Sequence, residues 1–227
     1  MNGHELAVVQ GWADTRATLR AWNAAPGPVL GRWVRLSLLV TAGLLAAVLA
    51  VAAVSTPDAT PMLLPGVNTA PDWADVGAVV FRNSLVLALH ALACLAGFIA
   101  MSSLPIEAEA YSGRWRALHD VAGPAAIAFV TAATLFSVGT QALVLGDGLS
   151  TLAWQLDVAP AKLLAILSIH AVPELCALFL PLAAWLVAAR AGAWEQLMAA
   201  TIVTAALAFP VVAISAMVEI WLTPRFL

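Results

Sequence analysis

Charged side chains are scarce in this sequence. Lys, Arg, Asp and Glu together make up 10% of its 227 residues, where a soluble domain carries roughly a quarter. A chain this poor in charge has no water-compatible surface to cover itself with. Cysteine is nearly absent too: Cys94 and Cys176 stand alone, each inside an apolar stretch. They read as small packing residues more than as a disulfide, whose usual place is in exposed secreted scaffolds. Basic residues are few and the net charge is −3, which argues against nucleic acid as a partner. No Walker A sequence is present, so any ATP hydrolysis has to come from another chain. A zinc-protease helix is missing as well: a lone His followed by Glu has the wrong spacing, and Ser168 and Ser215 lack a nucleophile-elbow context. No catalytic residue, metal site or cofactor is expected. An intramembrane hydrolase is the weakest of the readings.

What the sequence has in abundance is hydrophobic residues, at 63%. In lipid only helices and closed barrels satisfy the backbone. The apolar stretches are long and rich in Ala, Leu and Val, without the short alternation of barrel strands. The expected fold is therefore all-α: a polytopic transmembrane bundle of about five spans, with an amphipathic helix before it. The spans are expected at about 33–55, 79–102, 122–146, 162–189 and 197–222, each reaching the roughly 20 residues that the hydrocarbon requires. The first is expected to stop at Ser55-Thr56-Pro57, the second before Pro105 and the third at Gly146-Asp147-Gly148. No cleavable signal peptide is expected, because the first apolar run comes after a long polar stretch.

Residues 1–32 form one expected unit, a cytoplasmic amphipathic helix and linker, and 33–227 the membrane unit. Leu6, Val9, Trp12, Leu19 and Trp22 alternate with Glu5, Asp14, Arg16 and Arg20, a pattern suited to an interfacial helix. Two uses are open for it: packing on the bundle, or docking a cytoplasmic partner. The longest connection, about 56–78, contains Pro57, Pro61, Pro65 and Pro71. Its Leu63, Leu64 and Trp73 suggest that it lies against the bundle.

Orientation is set by the basic residues. Arg16, Arg20, Arg32, Arg35, Arg114, Arg116 and Arg190 fall on one side. Arg82, Lys162 and Arg225 fall on the other, with Asp58, Asp72, Asp75, Asp147 and Asp157. The positive-inside rule then places the N-terminus in the cytoplasm and the C-terminus outside a cell (inner or plasma) membrane. Trp33, Trp73, Trp115, Trp154, Trp194 and Trp221 fall near span ends, where aromatic belts lie.

An ionisable group at the centre of a membrane helix costs about 2.5–3.5 kcal/mol on insertion scales, so each one needs a reason. His170 and Glu174 are four apart and share a face of span four. Pro173 between them, Pro181 further along and Pro210 in span five are expected to bend their helices. Asn83, His90, Cys94 and Gly97 make one stripe on span two. Ser215 and Glu219, again four apart, sit near the end of span five. Spans two, four and five are expected to converge on a polar cluster of Asn83, His170, Glu174 and Glu219, with His90 and Ser215 as further members. Such a cluster serves equally as a device that fixes helix register or as a substrate, proton or partner site.

The run from Asn83, the glycine-punctuated Leu135–Gly146 stretch, His170-Ala-Val-Pro-Glu174-Leu175, and the ending Val218-Glu219 with Thr223-Pro224 together resemble the stage II sporulation protein M family, over roughly residues 79–227. Ala171 stands where that family usually has glycine, Pro173 stands just ahead of the glutamate, and Ala177 stands where a proline or small residue is common. The resemblance implies a non-enzymatic multi-pass membrane subunit that organises other membrane or envelope proteins as a scaffold. The alternative it implies is a permease-like subunit beside a cytoplasmic ATPase that exports peptides or other envelope substrates. The implied partners are the lipid bilayer and those proteins; a homo-oligomer is also compatible.

Overall fold

The computed structural model describes residues 3–109 and 111–227, without the side chains of 3–10 and 107. Glu5, Leu6 and Val9 therefore lie outside the described side chains. Among the described residues every regular element is helical. Five helices are long and apolar enough to cross a membrane: Pro26–Val54, Trp73–Ile106, Gly113–Gln155, Pro160–Leu178 and Trp194–Phe226. The chain is an all-α polytopic bundle and a multi-pass membrane protein.

The described residues form the α-helices α1 (Gly3–Ala24), α2 (Pro26–Val54), α3 (Trp73–Phe98), α4 (Leu104–Ala108), α5 (Gly113–Gln155), α6 (Pro160–Leu178), α7 (Leu180–Ala191) and α8 (Leu197–Met217). The chain divides into two compact units. The first comprises residues 1–36, 87–134 and 180–207, and the second 37–86, 135–179 and 208–227.

In the first unit, α1 packs beside α4 and the short 3-10 turn Trp194–Gln196. Among its described side chains the most buried are small ones. Gly11 and Thr15 are buried, while Trp12 is 48% exposed, with the Arg16 guanidinium 5.4 Å from its ring centre. The reason is proximity: a Cβ on Gly11 would lie 2.7 Å from Phe98 Cζ. The Thr15 hydroxyl turns back onto the Gly11 carbonyl at 2.7 Å, so this buried hydroxyl has its acceptor within α1. Trp22 meets Trp33 edge-on, with ring centres 5.0 Å apart, and Trp33, Leu180, Ala183, Ala184 and Ala200 build the core.

Pro105 and Gly146 act differently from the expectations, and at Pro181 the expected bend is a full division of the helix. Helix α2 begins at Pro26, which suits a first helical position because the missing N–H has no partner there. Pro105 does not stop the second span. A π-helical segment, Ile99–Ser103, precedes α4, and the Leu104 N–H bonds the Ile99 carbonyl. The widened turn places Pro105 just beyond that bond. The same arrangement recurs at the chain's end, where Val218–Leu222 is π-helical, the Thr223 N–H bonds the Val218 carbonyl, and Pro224 comes next. Span four, expected unbroken to 189, divides at Phe179, two residues before Pro181, whose missing N–H cannot bond the carbonyl four residues back. Pro173 and Pro210 stay inside continuous helices.

Nor does Gly146-Asp147-Gly148 end the third span, which runs on to Gln155 for 43 residues in all. Gly146 is there for close packing. A Cβ on it would lie 2.5 Å from Val51 Cβ and 2.9 Å from the Val48 carbonyl oxygen, so α2 and α5 touch backbone to backbone. The turn comes later, at Asp157, whose φ of 53° is the left-handed conformation that Asp tolerates.

Candidate functional site

The second unit holds a cavity of about 350 Å³, within the usual range for small-molecule sites. Its walls are mostly leucine and valine from α2, α5 and α6. Its polar side brings together Arg82 of α3, His170 and Glu174 of α6, and Glu219 and Thr223 beyond α8.

Each side chain is placed by a local feature. Glu174 Oε1 accepts a 2.7 Å hydrogen bond from Asn83 Nδ2, which ties α3 to α6 through a buried amide. The other carboxylate oxygen, Oε2, is buried without a hydrogen-bond partner. His170 is buried, and its Nδ1 lies 2.9 Å from the Thr223 hydroxyl. That contact depends on the π-helical segment before Thr223, since one extra residue in the turn rotates the rest of the chain relative to an α-helical register. Glu219 lies inside the same segment. Glu174, Glu219 and Arg82 all line the cavity.

A further hydrogen bond holds α6 where its helix is interrupted. The Cys176 carbonyl would normally accept the amide four residues on. With the division at Phe179, the buried Ser37 hydroxyl of α2 donates to it instead. Cys94 and Cys176 are both free thiols.

The 55–72 connection lies over the cavity. Met62, Leu64, Pro65 and Val67 form part of its wall, while Leu63 points outward at 79% exposed. Gln155 at the end of α5 clamps this loop. Its Nε2 donates to the Thr60 carbonyl at 2.8 Å and to the Asp58 carbonyl at 3.3 Å, and its Oε1 accepts from the Met62 amide at 3.1 Å. The Asp58 amide bonds the Thr151 hydroxyl at 3.1 Å. At the tip, Gly66 has φ +81° and rests on the chain's end: a Cβ there would lie 2.7 Å from Pro224 Cγ and 2.9 Å from the Ile220 carbonyl oxygen. Trp73, which opens α3, meets Trp221 edge-on at 4.3 Å. Outside the hydrocarbon, the Asp58 carboxyl is held below its ordinary 3.8, chiefly by the Thr60 backbone N–H.

Of the residues singled out in the sequence, His170, Glu174 and Glu219 share the cavity, and Asn83 stands behind Glu174. Ser215 is buried in the same unit but off the cavity wall; His90 is buried in the first unit. Arg82, Thr223, Gln155 and Ser37 were not singled out as site residues. Thr223 alone carried a signal, through its place beside Pro224. The other cavities described, of about 500 and 300 Å³, lie in the first unit around Trp22 and Trp33 and have one arginine each, Arg20 and Arg32. Among the described residues, no three His, Cys, Asp or Glu side chains are grouped to hold a metal ion. No family model, characterised protein or solved structure matches the chain.

Proposed function

We propose that this chain is a non-enzymatic membrane subunit that receives a substrate within its bundle, the permease-like component of a complex driven by an ATPase in trans. The observation that carries this reading is that charged side chains from three spans line a cavity. A cluster serving only to fix helix register would be most stable with its groups paired in a close-packed seam, with no empty volume beside it. Glu174 instead keeps a buried oxygen without a donor at that wall. In the first unit, the packing of α1 with α4 and the Trp194–Gln196 turn supports a docking platform for the ATPase. The positive-inside distribution supports placing that platform in the cytoplasm. The likeness of residues 79–227 to the stage II sporulation protein M family, some of whose members sit beside ATPases, favours the same role.

The scaffold reading draws on a different feature. The most apolar stretch of α5 is only 6% buried, against 28–39% for the other four spans, which leaves that helix available to other membrane proteins.

Purification in mild detergent and identification of the copurifying proteins separates the two. The permease reading expects an ATPase whose hydrolysis is stimulated by the subunit, and expects Glu174→Gln to keep the complex together while losing that stimulation. Full stimulation by a folded Glu174→Gln protein, or copurification of envelope proteins without any ATPase, would contradict it. A reporter fused after Leu227 is expected to be active outside the cell.

A further inference from the structure

We infer that the cavity takes an amphiphile with one short hydrocarbon arm and a protonated amine head, the head seated between Glu174 and Glu219. The assignment rests on the substrate-receiving reading above and adds the chemistry of the molecule received. Its basis is a surplus of acceptors. Two carboxylates face the cavity, carrying four oxygens between them. Asn83 supplies a donor to one of these, Glu174 Oε1, and the Nδ1 of His170 is engaged with Thr223. Glu174 Oε2 is buried and has no donor, a state that is unfavourable when it persists.

A head group that donates and does not accept complements this wall. An ammonium has three donors and no acceptor. Its charge and that of Arg82 then balance the two carboxylates. A carboxylate or phosphate head would bring a third negative charge to a wall with one arginine. A hydroxyl head would satisfy one oxygen and leave the charge unmatched. The rest of the cavity is hydrocarbon: Leu145, Leu149, Leu164 and Leu167 face it from α5 and α6, so the remainder of the ligand is an alkyl arm. A cavity near 350 Å³ admits one such arm and excludes a two-chain lipid. An amine-bearing single-chain lipid and the apolar amino end of a short peptide share this chemistry.

The test uses the full chain, released from zwitterionic nanodiscs for native mass spectrometry, with decylamine, decanol and decanoate as probes. Decylamine is expected to bind at one-to-one stoichiometry, at least tenfold more tightly than decanoate. The double variant Glu174→Gln, Glu219→Gln is expected to bring the two within threefold. Leu167→Trp, which fills the cavity, is expected to abolish binding of all three probes. The amine-to-acid ratio of the unaltered protein is decisive by itself, so a variant that fails to fold leaves the test intact. Decanol or decanoate binding as well as decylamine, and lost in Leu167→Trp, would overturn the ammonium head while the substrate-receiving reading stands. Binding of no probe, or binding indifferent to Leu167→Trp, would overturn both. A short apolar peptide with a free amino end, against the same peptide acetylated, then distinguishes the sources. A tenfold preference for the free peptide assigns the peptide, and an equal response assigns the lipid.

Discussion

Replacing Gly146 by alanine adds one methyl group to α5 at the point where it crosses α2, and two opposing effects can be weighed there. In an exposed helix interior the change stabilises by about 0.8–1.0 kcal/mol, because alanine loses less backbone freedom on folding. Here the new carbon would sit 2.5 Å from Val51 Cβ and 2.9 Å from the Val48 carbonyl oxygen. The second neighbour is backbone and cannot rotate away, so the helices have to separate. Overpacking of this kind costs about 1–3 kcal/mol, and the net effect is a destabilisation of up to about 2 kcal/mol. Gly139→Ala is the control, on the same helix and in the same unit with nothing within 4 Å of its added carbon. It is expected to be neutral or stabilising by up to about 1 kcal/mol. Equilibrium unfolding of both variants in mixed micelles, against the unaltered protein, gives the difference directly. If Gly146→Ala unfolds no more easily than Gly139→Ala, the close crossing of α2 and α5 is wrong, and so is the cavity wall that Val48, Leu145 and Leu149 form beside it.

The supports of the site give three further expected outcomes. Gln155→Ala removes three hydrogen bonds from the loop, at about 0.5–1.5 kcal/mol each. Amide exchange over residues 58–62 is expected to quicken by at least tenfold, with the helices unaffected. Ser37→Ala leaves the Cys176 carbonyl without its hydroxyl donor and is expected to cost about 0.6–2 kcal/mol in micelle unfolding; Ser37→Thr, which restores a hydroxyl, is expected to recover part of that. The Asp58 carboxyl has a depressed folded-state value. The turn it holds is therefore fully stabilised above the ordinary 3.8 and loosens as pH falls through the lower, folded value. A carboxyl-carbon NMR titration checks this, with the midpoint expected to rise to the ordinary value in Thr60→Pro, which lacks the donor.

The fold was legible where composition alone decides. Long runs of Ala, Leu and Val with few charges have no other stable form in lipid, and the spacing of His170 and Glu174 put both on one helical face. Punctuation was harder to read, because glycine and proline each have two uses. Gly146 and Gly148 look like a stop, yet Gly146 answers a neighbouring helix that the local sequence does not display. Pro105 and Pro224 look like ends, yet a π-helical turn ahead of each carries the chain past the missing amide. Arg82 read as a basic residue near the outer end of a span; its place on the cavity wall depends on how α3 packs against α6, which no single-span pattern encodes. Gln155 and Ser37 act on backbone groups 93–139 positions away in the chain. Side-chain bonds to distant backbone leave no periodic trace, so neither residue could be distinguished from an ordinary polar residue near the end or start of an apolar run.

Glu174 and its neighbours face either a cavity that solutes enter or a sealed seam, and thiol labelling decides between the two. Leu167 lies on the cavity wall, whereas Ile169 points out of the bundle at 44% exposed. Leu167→Cys and Ile169→Cys are made separately in a chain carrying Cys94→Ala and Cys176→Ala, and treated in native membranes with a small methanethiosulfonate. Only a thiolate reacts, and a thiol facing acyl chains stays protonated. An open cavity predicts that Leu167→Cys labels at least tenfold faster than Ile169→Cys; equal rates, or a faster reaction at 169, would contradict it.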